Sequence, residues 1–177
     1  MEQRIVVSGK ELVRVARITS PVGVNGGVKS APVFFNTKEL GELFSVCAEG
    51  LFLIRGSQFP KKMSVASLKV SEKYVDMKFK EAGTRNDAIK LCETDVYVPY
   101  DVYLKYLKDT KSIFGYVGYS VVDKKLGALG EVTEVVRDKQ TFLVVGVKLI
   151  PFVKELVESV DYERKLIKTI LPEGIFE

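Results

Sequence analysis

Pro21-Val22-Gly23-Val24-Asn25-Gly26-Gly27-Val28-Lys29 is the stretch on which the fold turns. Just before it, Val13 and Val15 alternate with Arg14 and the run closes at Ile18, the two-residue period of a half-buried strand. Asn25-Gly26 readily takes the left-handed angles of a tight turn, so the segment predicts two antiparallel strands joined by a glycine-rich loop. Further on, Val75, Met77 and Phe79 alternate with Tyr74, Asp76 and Lys78, giving one core face and one wet face. Residues 51–54 and 95–98 read as buried strands, the second stopping at Pro99, and 61–70 as one extended stretch through Val65, Leu68 and Val70.

Two short helices interrupt the strands. Asn36 caps the first, with Glu39 three residues on to reach back, and Leu40, Leu43 and Phe44 follow at helical spacing. Thr84 and Asp87 form the same pair ahead of Ala88, Leu91 and Cys92, which face inward. Short strands, short helices and frequent glycine turns make a small β-barrel over 11–100. Residues 1–10 show no strong period and read as an N-terminal extension. Residues 101–112 mix Tyr103, Leu104, Tyr106 and Leu107 with Asp101, Lys105, Lys108 and Lys111 and read as a linker, too apolar to float free of a domain.

From Ile113 the strands resume, at 116–122, 130–136, 141–150 and 166–170. Val153, Leu156, Val157 and Val160 recur at helical spacing, and Pro151 suits a helix start. Residues 113–177 are thus expected to form a second, smaller β-barrel or β-rich sheet.

Composition narrows the chemistry. The 177 residues hold no histidine and two cysteines, and carry a net charge of +4. Ser-His-Asp and Cys-His catalysis are excluded, and so is the commonest transition-metal ligand. Cys47 and Cys92 lie too far apart for a Cys-x-x-Cys motif and read as small buried hydrophobes of a reducing compartment. No apolar run approaches the ~20 residues that cross a bilayer, and no signal peptide opens the chain, so a cytoplasmic protein is expected. Neither half concentrates enough basic residues for an autonomous duplex clamp, although modest attraction to an RNA-rich assembly remains compatible.

Individual motifs are weak. Lys29-Ser30 resembles the end of a P-loop, but Val28 stands where glycine is needed. Gly23-Val24-Asn25-Gly26 fits the nucleotide-clamping G-x-x-G, yet β-type residues flank it, and Gly115 with Gly118 and Gly127 with Gly130 repeat the spacing. Glu131 and Glu134 fall on opposite faces of a strand and read as solvated rather than metal-binding. Tyr116 and Tyr119, three apart on an expected strand, face opposite sides; each is either core or an anchor for a protein or RNA partner.

The order of these features resembles the RimM family of bacterial factors for 16S rRNA processing and small-subunit maturation. The family's Pro-His-Gly-x-x-Gly-acidic-aliphatic-basic run is matched at Pro21, Gly23, Gly26, Val28 and Lys29, with Val22 in place of the histidine and Gly27 in place of the acid. Further matches are Arg85-Asn86, Ala88, Leu91 and Val96-Tyr97-Val98, then Val117-Gly118 with Gly130-Glu131-Val132. The last are Leu149-Ile150-Pro151-Phe152-Val153, Val160-Asp161 and Pro172-Glu173-Gly174-Ile175.

The resemblance implies a mainly β protein of two tandem β-barrels: an N-terminal barrel of the translation-elongation-factor kind with short helices, and a C-terminal PRC-barrel. It also implies an extended or turn-like course for 153–160. The implied activity is that of an assembly chaperone rather than an enzyme: a monomer, without cofactor, metal or membrane. It would bind the head of the immature 30S subunit through 16S rRNA and the ribosomal protein numbered nineteen. Pro21, Gly23, Asn25, Gly26, Lys29 and Arg85 are the expected rRNA-facing residues. Phe114, Tyr116, Tyr119, Pro151 and Phe152 are expected at the ribosomal protein. Lys111-Ser112-Ile113 stands where the family has two adjacent aromatics, with Phe114 the nearest aromatic, so that surface is altered or another ring substitutes. The alternative is a PRC-barrel adaptor for a non-ribosomal protein, which leaves the first barrel unexplained.

Overall fold

The computed structural model describes residues 3–176, and the chain parts into two compact units between Tyr106 and Leu107. The first unit contains β1 (Arg4–Val7), β2 (Lys10–Val22), β3 (Gly27–Pro32), α1 (Thr37–Val46), β4 (Leu51–Ile54), β5 (Lys61–Met63), β6 (Val65–Val70), β7 (Val75–Phe79), α2 (Arg85–Leu91) and β8 (Asp95–Pro99). It ends within α3 (Tyr100–Thr110). Hydrogen bonding orders the strands β5-β4-β8-β2-β3-β7-β6, with β1 added to β2. The two ends of this path, β5 and β6, are separated in sequence by Ser64 alone, so one bent strand closes the sheet into a barrel. At that corner the Ser64 N–H donates to the Glu81 carboxylate at 3.0 and 3.1 Å, replacing the ladder bond that the bend removes.

The alternation seen in β2 and β7 carries the barrel interior. Val13, Val15, Val75, Met77 and Phe79 are buried, while Arg14, Asp76 and Lys78 sit half-buried between them. α1 adds Leu40, Leu43 and Phe44, all fully buried, each contributing about 1.5–3 kcal/mol by leaving water. Both capping pairs form as the sequence predicts. Glu39 N–H donates to Asn36 and the Asn36 N–H to Glu39, and Thr84 and Asp87 exchange bonds in the same way. Cys47 is buried, and burial, with Asp101 nearby, pushes its thiol up to about 12; Cys92 is half-buried and donates to the Ala88 carbonyl.

The second unit holds a short 3-10 turn (Ile113–Tyr116), β9 (Ser120–Asp123), β10 (Gly127–Arg137), β11 (Thr141–Val145), β12 (Lys148–Pro151), β13 (Val157–Asp161) and β14 (Leu166–Thr169). The strand order is β12-β11-β10-β9-β14-β13, antiparallel except for β9 beside β14. Long β10 pairs its first half with β9 and its second half with β11, bulging on either side of Glu131, so it serves both halves of the sheet. Asp123 is 2% exposed, at the end of β9. Its carboxylate accepts from the N–H groups of Lys125, Leu126 and Leu171 and from the Thr169 hydroxyl at 2.8–3.0 Å. One side chain thereby ties the β9 turn to the end of β14.

The structure departs from the sequence-based expectations at five places. Within the expected extension, Arg4–Val7 pairs with β2 through Ser8-Gly9, both at positive φ (50° and 76°). That two-residue turn suits the twist of a hairpin. Residues 101–112 are largely helical: Tyr103, Tyr106 and Leu107 are buried at helical spacing and Leu104 is exposed. Tyr103 and Tyr106 dock on Phe35, at 6.0 Å between ring centroids in each case. The expected strand at 141–150 breaks at Gly146-Val147, where Gly146 has φ 61°. The helix suggested by Val153 to Val160 gives way to a turn and strand β13, because pairing with β14 outweighs local periodicity. Finally, Tyr116 and Tyr119 do not share a strand. Tyr116 ends the 3-10 turn, Tyr119 precedes β9, and their rings meet at 5.3 Å instead of facing apart.

Candidate functional site

In the first unit the candidate surface is built around the loop between β2 and β3. Gly23 and Gly26 adopt φ 62° and 77°, the left-handed region that glycine enters without strain. The loop is seated on the segment leading into α2. A Cβ on Gly26 would stand 2.1 Å from the Ala82 carbonyl oxygen, so only glycine allows this approach. From the first turn of α2, Arg85 Nη1 donates to the Gly23 carbonyl at 2.9 Å. Gly23, Val24 and Asn25 remain exposed, so the loop is held from beneath and open above.

Of the expected rRNA-facing residues, the structure thus brings Gly23, Asn25, Gly26 and Arg85 together. Pro21 lies half-buried in the β2–β3 ladder opposite Val28. Lys29 is drawn along β3, its ammonium 5.4 Å from the centre of the Tyr74 ring. Two cations that motif reading missed take part instead. A cleft of about 380 Å3 opens beside the loop, lined by Val24 and Asn25 on one side and by Lys69, Asp76 and Lys78 on the other. The wet face of β7 was legible from alternation. The register that sets Lys78 opposite Gly27 was not, because it depends on pairing between strands distant in sequence.

The second unit concentrates aromatics. Tyr116 lies 5.3 Å from Tyr119, 5.1 Å from Phe152 and 6.2 Å from Tyr162 by ring centroids. The Tyr116 and Tyr162 hydroxyls are 3.3 Å apart. Burial raises the Tyr116 phenol above its ordinary range, and the Tyr162 hydroxyl adds to this. Tyr119 is raised by burial and by Tyr162 and Asp161.

Among the expected protein-facing residues, Tyr116, Tyr119 and Phe152 therefore form one cluster, with Pro151 beside Phe152 in sequence. Phe114, Tyr116 and Tyr119 are nevertheless buried and serve chiefly as core, while Pro151 and Phe152 are half-buried. Phe114 carries the Arg137 guanidinium over its ring at 5.0 Å. The ring of the cluster most open to solvent is Tyr162, 42% exposed, with Lys111 Nζ 5.0 Å from its centre. Tyr162 lies in the β13–β14 turn, just ahead of the charged run Glu163-Arg164-Lys165.

The first surface presents cations beside an open loop, and the second a partly exposed aromatic cluster with a cation over Tyr162. Cations and aromatic faces can engage a polyanion or a protein surface by contact, through charge and stacking.

Comparison with known proteins gives two domain matches. The RimM N-terminal domain matches residues 13–102, and the RimM PRC barrel domain matches residues 113–175. A ribosome maturation factor RimM from Caldicellulosiruptor bescii is 26% identical over 171 residues, covering 93% of this chain and 97% of that protein. One from Thermoanaerobacter sp. (strain X514) is 29% identical over 167 residues, with 91% and 96% covered. A crystal structure of a 16S ribosomal RNA processing protein RimM from Pseudomonas aeruginosa aligns at 17% identity and TM-score 0.46, over 91% of this chain and 98% of that one.

Proposed function

The chain belongs to the RimM family, and from that premise we propose that it is a ribosome maturation factor acting on the small subunit. In this reading it binds the head of the immature 30S particle and assists folding and processing of 16S rRNA, making and breaking no covalent bond. The braced loop at 23–26, with Arg85, Lys69 and Lys78, faces rRNA. The aromatic cluster at Tyr116, Phe152 and Tyr162 takes the ribosomal protein numbered nineteen. Holding a late-folding RNA element beside its protein lowers the ordering entropy of the next assembly step. The protein works as a monomer in the cytoplasm, where subunits mature.

The observation that supports this reading most is the presence of both family domains in one chain, over residues 13–175. Among the described residues no helix is long and apolar enough to cross a membrane. Sedimentation of cell extract tests it. The protein should travel with free 30S particles and be absent from 70S ribosomes. Equal distribution over all fractions, or a pull-down dominated by a non-ribosomal protein, would replace the reading with that of an adaptor.

A further inference from the structure

Phe59 is 95% exposed, in the loop between β4 and β5. The residues around it in sequence are Arg55, Gly56, Ser57, Gln58, Pro60 and Lys61, most of them exposed and polar or cationic. A phenyl ring held this far into water has no folding purpose, and its neighbours do not build the apolar rim of a protein-docking pocket.

Topology places this ring at the same end of the first barrel as the 23–26 loop. β4 is antiparallel to β8 and β8 antiparallel to β2, so β4 and β2 run in the same sense. The loops that follow them therefore leave the barrel at one end. Ile54, Asp95 and Arg17 stand at one level across the three strands, which fixes where the β4–β5 loop departs. α2 packs on β2 and β3, and Arg85 at its start holds Gly23.

The charges of the β4–β5 loop at this end favour an anion, because residues 50–71 hold basic side chains and no carboxylate. Arg55, Lys61 and Arg85 are exposed there, with Lys78 half-buried opposite Gly27. Of the carboxylates nearby, Glu81 accepts from the Ser64 N–H, Asp87 accepts from the Thr84 N–H and hydroxyl, and Asp95 pairs with Arg14 and Arg17; Glu93 follows Cys92, and Asp76 lies in the cleft with Lys69 and Lys78. Lys62 turns elsewhere, into a cleft that it shares with Glu11 and Asp101.

We infer that the β4–β5 loop is an RNA contact in which Phe59 stacks on an unpaired base while Arg55 and Lys61 take the flanking phosphates. An exposed aromatic face flanked by cations is the pattern of single-strand stacking, and Ser57 and Gln58 beside it supply polar groups for the stacked base. The inference rests on the reading that this protein binds rRNA. It adds a second contact to the 23–26 loop and names the form of RNA bound: a single-stranded segment rather than a helix.

The test uses the full chain and immature 30S particles from cells lacking the protein. Phe59→Ala should bind roughly 5- to 100-fold more weakly than wild type, as expected when one base–aromatic stack is removed, and Phe59→Trp should restore binding. Because the ring is exposed, both variants should unfold at the wild-type midpoint. With Phe59 replaced by p-benzoylphenylalanine, irradiation should attach the protein to an unpaired rRNA nucleotide. Binding of Phe59→Ala within twofold of wild type, or crosslinking to a ribosomal protein, overturns the stacking contact while wild-type sedimentation keeps the functional reading intact. If the wild type itself fails to sediment with the particles, both fall together.

Discussion

Arg85 and Gly23, 62 positions apart in sequence, are joined by a 2.9 Å bond from the guanidinium to the loop carbonyl. The bond links the first turn of α2 to a hairpin loop whose own backbone is free on its outer side. Removing it should change the loop before it changes the fold. In Arg85→Ala, stability should fall by no more than about 1 kcal/mol, because the bond is solvent-exposed. Amide exchange at Val24 and Asn25 should speed up, and affinity for immature 30S particles should fall. Hydrogen exchange of the free protein checks the first effect and co-sedimentation the second.

Gly26 and Gly23 both have positive φ, but their surroundings differ, which gives a graded prediction. At Gly26 an added methyl would meet the Ala82 carbonyl at 2.1 Å, whereas at Gly23 nothing lies within 4 Å. Gly23→Ala should therefore cost only the left-handed backbone penalty, about 1–2 kcal/mol. Gly26→Ala must also push the loop off the α2 segment, so its cost should be larger, about 2–4 kcal/mol. Urea denaturation of the two variants should show Gly26→Ala as clearly the weaker.

Asp123 sets a pH dependence. Burial alone would raise its carboxyl, but the N–H groups of Leu126, Lys125 and Leu171 and the Thr169 hydroxyl overcome this and hold it down to about 2. An unfolded aspartate titrates near 3.9, so the folded state binds this proton less readily than the unfolded chain. The stabilisation, about 2–3 kcal/mol, should be complete above roughly pH 5 and drain away as the pH falls toward 2. Asp123→Asn turns an amide N–H2 toward backbone donors. It should lose a similar amount at neutral pH and flatten the acid limb of the stability curve, measured by denaturation between pH 2 and 7.

Much of the first barrel was legible because its signals are local. The capping pairs at Asn36 and Thr84, the alternation of β7 and the turn at Asn25-Gly26 each act within a few residues, and each appears where the pattern puts it. The failures have other causes. Val153 to Val160 carries a helical period, but hairpin pairing with the next strand, β14, draws it into the extended course that the family resemblance implied. Tyr116 and Tyr119 meet because a 3-10 turn bends the chain between them, and no two-residue period describes that. At the candidate site, Gly23 and Arg85 were both named, but their bond, the cleft with Lys78 and the exposed Tyr162 depend on contacts across the fold. Residue type alone cannot tell buried Phe114 from exposed Phe59.

Tyr116 and Tyr162 separate a core role from a contact role within one cluster. Tyr116 is 5% exposed, so Tyr116→Ala should open a cavity and cost about 3–5 kcal/mol, unfolding much of the second unit. Tyr162 lies at the edge of the cluster and should tolerate truncation far better. Their hydroxyls touch, so Tyr116→Phe, Tyr162→Phe and the double variant form a cycle whose coupling should be about 0.5–1.5 kcal/mol. If the cluster holds the ribosomal protein, Tyr162→Ala should weaken that complex several-fold while leaving the denaturation midpoint within a few tenths of molar urea of wild type. Calorimetric titration with the purified ribosomal protein reads the affinity. Unchanged affinity in folded Tyr162→Ala would remove this face from the interface, because Tyr162 is the ring of the cluster that solvent reaches most freely.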